Sequence, residues 1–150
     1  MSSDPIEFEL FNEIGIIDQL GGNILERAMP QGLTRAQFTV LNHFVRLGHD
    51  EQSPAKLASA FQLTRPTMTS TLGRMEKSGL IEMRSDPADG RAKLVSLTPK
   101  GRQMRERCLE ALAPMRPLVA GILDEREIRI ALPILRKLRV ALDTARDSSE

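Results

Sequence analysis

The strongest constraint on the fold is the order of start and stop signals between Ser53 and Gly101, which reads SPAKLASAFQLTRPTMTSTLGRMEKSGLIEMRSDPADGRAKLVSLTPKG. Ser53-Pro54 opens a helix. The hydroxyl can accept from a first-turn N–H, and proline at the first helical position gives up a donor that has no intrahelical partner there. Leu57, Ala58 and Phe61 then share one face, and Gln62-Leu63 fits a turn. A second helix follows, capped by Thr64 or Arg65, because Pro66 disfavours helical geometry in the residue before it. Met68, Leu72 and Met75 recur at i, i+4 and i+7 as its buried stripe. Ser78-Gly79 ends it, glycine being suited to a left-handed C-cap. Residues 80–85 and 92–97 read as paired strands, with Asp89-Gly90 as the hairpin turn signal. Thr98-Pro99 opens the next helix. Two short helices followed by a β-ribbon and a further helix predict a winged helix-turn-helix.

The second helix has an outer face with its own chemistry. Pro66, Ser70, Arg74 and Lys77 point away from the apolar stripe, flanked by Thr67 and Thr69. Threonine and serine are mediocre helix formers, so their run from Thr67 to Thr71 does not serve helix stability. Short hydroxyls suit groove edges and phosphates, and Arg or Lys suit guanine edges and phosphates. The ribbon carries Arg84, Arg91 and Lys93 near its tip.

At this level of detail the chain resembles the multiple-antibiotic-resistance regulator (MarR) family of winged-helix transcription factors. Three pieces carry the resemblance: Leu72-Gly73-Arg74-Met75-Glu76-Lys77-Ser78-Gly79-Leu80-Ile81, the ribbon Arg84-Ser85-Asp86-Pro87-Ala88-Asp89-Gly90-Arg91, and the exit Val95-Ser96-Leu97-Thr98-Pro99-Lys100-Gly101. The Asp-Pro-x-Asp-x-Arg wing followed by Leu-Thr-x-x-Gly is the specific combination. The resemblance implies that Arg91 enters the minor groove with Asp89 steadying it. Narrow minor grooves concentrate negative potential, so an arginine on a thin ribbon fits physically. Arg84 and Lys93 are read as phosphate contacts. Thr64, Arg65, Pro66, Thr67, Thr69, Ser70, Arg74, Lys77, Arg84, Asp89, Arg91 and Lys93 are therefore the expected DNA-binding residues. The resemblance also implies a small-molecule effector, often phenolic or a carboxylate, held near Ile14, Ile17, Phe38, Leu41, Met104, Arg105 and Cys108. All but Arg105 are apolar and are equally explained as core.

The net charge of +1 hides an asymmetry. Residues 1–63 carry net −4, residues 64–107 carry net +5, and residues 108–150 carry zero. The positive charge falls on the stretch expected to meet DNA. A single cysteine, Cys108, rules out an intramolecular disulfide, and with only His43 and His49 a structural zinc site is not expected. Cys108 reads as an inert core thiol, His43 as a packing residue and His49 as a surface one. No catalytic, metal or cofactor-binding residue is assigned, and no enzyme is expected. The absence of a basic-plus-apolar leader or a long apolar run predicts a cytoplasmic protein with no membrane partner.

Mainly α-helical arms flank the winged unit. Asp4-Pro5-Ile6-Glu7 reads as an acidic cap opening a helix over 4–28, with a wide apolar stripe and a weak point at Gly21-Gly22 where it could bend or end. Thr34 caps the next helix and Gly48 ends it. After Pro99 a helix is expected to run to about Gly121, bent near Pro114 and Pro117. Asp124 caps a last helix whose stripe (Ile128, Ala131, Leu132, Leu135, Leu138, Leu142) is interrupted by Pro133, where a kink is expected; residues 147–150 should fray. Residues 1–150 thus read as one protomer, with 34–98 the DNA-binding unit and 4–28 and 99–147 dimerisation helices. A homodimer would set two recognition helices one DNA turn apart, about 34 Å, on a near-palindromic site of double-stranded DNA. The expected function is a sequence-specific repressor released by a small aromatic or carboxylate ligand. The alternative is a winged-helix assembly module with weak or nonspecific DNA binding.

Overall fold

The computed structural model describes residues 3–148. Its elements run α1 (Ile6–Ala28), α2 (Arg35–Leu47), α3 (Pro54–Ala60), α4 (Arg65–Lys77), β1 (Ile81–Asp86), β2 (Asp89–Leu97), α5 (Pro99–Ala111), a 3-10 turn (Ala113–Met115), α6 (Arg116–Ala120) and α7 (Glu125–Asp147). The fold is mainly α with one antiparallel two-stranded ribbon, a winged helix-turn-helix. Two compact units are formed, Met1–Leu112 and Ala113–Glu150.

The first unit is built around α2, α3, α4 and the root of the ribbon. Val40, Leu41 and Phe44 of α2, Leu57 and Ala58 of α3, Met68, Leu72 and Met75 of α4, and Ile81 and Val95 of the ribbon make one buried cluster with Cys108 of α5. Each large side chain so buried contributes roughly 1.5–3 kcal/mol. Local signals set the boundaries. Thr34 accepts from Gln37 N while the Gln37 side chain accepts from Thr34 N, a reciprocal cap, and Gly48 closes α2 at φ 65°. Ser53 caps α3 by accepting from Lys56 N. The helix-turn-helix corner is completed by Gln62 in a left-handed conformation, φ 51°, with Leu63 N donating to Ala58 O.

Four expectations need correction. First, α1 starts at Ile6 with Pro5, which has no capping side chain, in the N-cap position. Second, α1 does not end at Gly21-Gly22 but continues to Ala28. Gly22 is buried, and a Cβ there would run into the guanidinium of Arg35, which crosses from α2 to pair with Asp18. That glycine is an access point for a neighbouring side chain.

Third, the hairpin turn is Pro87-Ala88, and Asp89-Gly90 lies within β2. Asp86 Oδ1 accepts from Ala88 N, closing the turn over a proline whose φ is already fixed. Ser85 pairs with Lys93 but Asp86 pairs with Asp89, so Gly90, Arg91 and Ala92 bulge out of the ladder. Fourth, the helix after Pro99 ends at Ala111. Around Pro114 the backbone forms a 3-10 turn, and only a short helix follows. Pro114 lies in the break, where it removes a donor, while Pro117 sits in the first turn of α6.

The second unit holds α6 and α7. Asp124 and Glu127 form a reciprocal cap at the start of α7. The helix continues through Pro133 to Asp147, so the proline interrupts a hydrogen bond without ending the helix. Ser149 and Glu150, part of the expected fraying segment, lie outside the described residues. No residue of α7 is buried within the protomer. Leu132, Leu135 and Leu142 are exposed, as are Ile6, Phe8, Ile17 and Leu20 on α1.

Candidate nucleic-acid interface

The outer face of α4 is organised by its cap. Thr64, with φ −66° and ψ 151°, is the N-cap and accepts from Thr67 N at 3.3 Å. Arg65 and Pro66 therefore sit inside the first turn, so proline did not push Arg65 out of the helix. The Thr64 and Thr67 hydroxyls are 2.8 Å apart, and Thr71 turns inward to donate to Thr67 O. Thr67, Thr69, Ser70, Arg74 and Lys77 are exposed along one side, opposite buried Met68, Leu72 and Met75.

The far end of α4 is held by the start of α5. Lys100 Nζ donates to Ser78 O at 2.7 Å, Thr98 Oγ1 to Gly79 O at 2.6 Å, and Thr98 N to Leu80 O at 3.1 Å. Three carbonyls just past the end of α4 are thus satisfied from the start of α5. A Cβ at Gly101 would overlap the Leu80 carbonyl oxygen, which explains a glycine at that place in the Leu-Thr-Pro-Lys-Gly exit.

The wing folds over the same side. A concavity of about 450 Å³ is lined by Arg65, Thr69 and Leu72 of α4, Met83, Arg91, Ala92 and Lys93 of the ribbon, and Ser53, Pro54 and Ala55 at the start of α3. Its floor is apolar and its rim carries three cations. Among the described residues no ion pair engages Arg65, Arg74, Lys77, Arg91 or Lys93. Asp89 Oδ1 accepts from Arg91 N at 3.0 Å, so its carboxylate steadies the backbone of the bulge that displays Arg91. The α3 residues were not picked out from sequence; only their helix-opening chemistry was visible there.

Arg84 is placed differently. Its Nε and Nη2 donate to Glu51 Oε1 and Oε2, both at 2.6 Å. These bonds hold the Glu51 carboxyl below its ordinary range and raise the arginine further. A reading as a phosphate contact leaves that guanidinium free, whereas here its Nε–Nη2 edge already meets a carboxylate. Glu51 was invisible to sequence reading, which gave no reason to single out one acid of the connector.

The residues considered for an effector lie in and around the core. Leu41 and Cys108 are fully inside the core, with Phe38 and Met104 packed against it. Ile14 is half-buried and Ile17 exposed. Arg105 donates to Asn42 Oδ1 and to Glu106. Cys108 is buried, and burial pushes its thiol up. His43 is buried, with Nε2 3.1 Å from Gln52 Oε1 and its ring edge-on to Phe61. Among the described residues no cluster of His, Cys, Asp or Glu could hold a metal ion, and no helix is long and apolar enough to cross a membrane.

A capped helix presenting hydroxyls and cations, flanked by a cationic ribbon, is the arrangement of a winged helix-turn-helix. The MarR family model matches residues 31–92, from the loop before α2 to the wing. BldR, a transcriptional regulator from Sulfolobus solfataricus, is 26% identical with a TM-score of 0.73, covering 94% of this chain and 99% of its own. Apo MarR from E. coli gives 23% and 0.74, covering 92% of this chain and 98% of its own; a mutant form of it has been solved with operator DNA. BpsR from Bordetella bronchiseptica, whose DNA binding is regulated by 6-hydroxynicotinic acid, is 26% identical with a TM-score of 0.70 over 87% of this chain and 98% of its own. Over residues 31–92 the chain is thus similar to the MarR family, and its winged helix-turn-helix fold is similar to those of the regulators it matches.

Proposed function

We propose that this protein is a homodimeric, sequence-specific repressor that reads a near-palindromic operator and releases it on binding a small aromatic or carboxylate effector. The observation that carries the DNA reading is the convergence of Arg65 and Thr69 from α4 with Arg91 and Lys93 from the wing on one concave face, all three cations free of carboxylate partners among the described residues. In this reading α4 enters the major groove, with Thr67, Thr69, Ser70 and Arg74 toward base edges and Thr64, Pro66 and Lys77 toward the backbone. Arg91, displayed by the bulge that Asp89 stabilises, enters the adjacent minor groove, and Lys93 meets phosphate.

Residues 34–98 supply the DNA-binding unit, and residues 4–28 and 99–147 supply the arms. A second copy covers the apolar faces that α1 and α7 leave exposed, and its two-fold axis matches that of the operator. The effector proposal draws on BpsR, and its class is a small aromatic or carboxylate compound. The protein works in the cytoplasm, where its DNA lies, and uses no cofactor.

The test is fluorescence anisotropy of a selected duplex with wild type and Arg91→Ala. Loss of a groove-reading arginine is expected to weaken specific binding about tenfold or more. Unchanged affinity would refute the role assigned to the wing.

A further inference from the structure

The root of the wing is tied to the connector between α2 and α3. Gln52 and Val95 exchange both backbone hydrogen bonds, at 3.0 and 2.8 Å, adding a third extended segment beside β2. Beyond that rung the wing is a two-stranded ribbon, and such ribbons are marginal on their own. Glu51, the residue before this rung, reaches across to Arg84, which pairs with Leu94 in the ladder. The two parallel bonds form a fork, and a fork fixes orientation as well as distance. Arg84 is the one wing cation with a carboxylate partner among the described residues; Arg91 and Lys93 have none. A carboxylate clamped beside Arg84 would also repel a phosphate brought to it.

We propose that the Glu51–Arg84 pair is a clasp that sets the angle at which the wing leaves the body, making Glu51 a positioning residue for DNA binding and removing Arg84 from the set of phosphate contacts. The inference rests on the DNA-reading function proposed above. With the clasp closed, the ribbon presents Arg91 and Lys93 toward the groove beside α4. With it open, the same cations sample a wider arc, and each binding event must order them.

Two measurements on the full chain test this, using Glu51→Gln, Arg84→Gln, and the double swap Glu51→Arg with Arg84→Glu. The first is hydrogen exchange of residues 84–94 in the DNA-free protein. The second is affinity, as a function of salt, for the duplex that wild type enriches from a random pool. Both single variants should speed wing exchange and weaken binding by a similar factor, about threefold for an exposed pair. The salt slope should be unchanged, and the swap should restore both properties. A fall in salt slope of about 0.9 per protomer in Arg84→Gln, with Glu51→Gln binding more tightly, would make Arg84 a phosphate contact and overturn the clasp. If wild type enriches no duplex, the regulator reading fails. The exchange data then decide the clasp alone: faster wing exchange in both single variants upholds it, and unchanged exchange overturns it.

Discussion

Gly73 and Gly101 both sit inside helices, and replacing each with alanine should move stability in opposite directions. Helix propensity alone predicts a gain of roughly 1 kcal/mol for either change. At Gly73, on the exposed face of α4, an added Cβ meets nothing within 4 Å, so the full gain should appear. At Gly101 the added Cβ overlaps the Leu80 carbonyl oxygen, and it lies 3.1 Å from the carbonyl carbon and 3.5 Å from Leu41 Cδ2. The obstacle is backbone on one side and core on the other, so α5 must retreat. That movement breaks the bonds from Thr98 to Gly79 O and Leu80 O. Two neutral bonds at about 1 kcal/mol each, with overpacking of about 1–3 kcal/mol and less the propensity gain, leave a net loss of roughly 2–4 kcal/mol. Urea unfolding at fixed protomer concentration, so that dimer linkage is constant, measures both variants. Equal stabilisation by the two alanines would refute the claim that α5 presses on the end of α4.

Three further predictions follow from particular contacts. Glu51 should titrate below the ordinary carboxylate range, because Arg84 stabilises its charged form by hydrogen bonding. A depressed folded value means that this contribution is present above the ordinary carboxylate pKa and is lost as pH falls through the folded one; NMR titration of its carboxyl carbon should show the depression vanish in Arg84→Gln. Cys108 should resist iodoacetamide at neutral pH in the native protein and react at the ordinary thiol rate in urea, since it is buried and burial pushes its thiol up. Rapid native alkylation would contradict its place in the core. Leu135→Asp, on the exposed face of α7, should shift sedimentation from dimer to monomer, and a variant that stays dimeric would exclude that face from the interface.

What could be read from sequence was what local chemistry decides. The cap of α3, the Met68-Leu72-Met75 stripe and the Gly79 stop depend on residues within a turn or two of each other, and the structure places them as the sequence implied. The wing turn was misplaced because two local signals compete there. Asp89-Gly90 is a hairpin pair, but Asp86-Pro87 closes first through the bond to Ala88 N, leaving Gly90 in the bulge. Gly22 looked like a flaw in α1 because its purpose, passage of Arg35, comes from the next helix. The Glu51–Arg84 pair spans 33 positions, and no local pattern selects one acid among several. At the candidate interface the exposed cations and hydroxyls were legible. Which cation is already committed to a carboxylate was not, since that depends on where the connector docks against β2.

The account turns on whether two copies of this face read a defined DNA sequence, and selection of bound duplexes from a random pool tests that most directly. The expected result is an enriched palindrome with half-sites about 10 base pairs apart, matching two recognition helices related by a two-fold axis. Binding without enrichment, weakening only with salt, would contradict it and leave an electrostatic binder whose winged unit serves assembly.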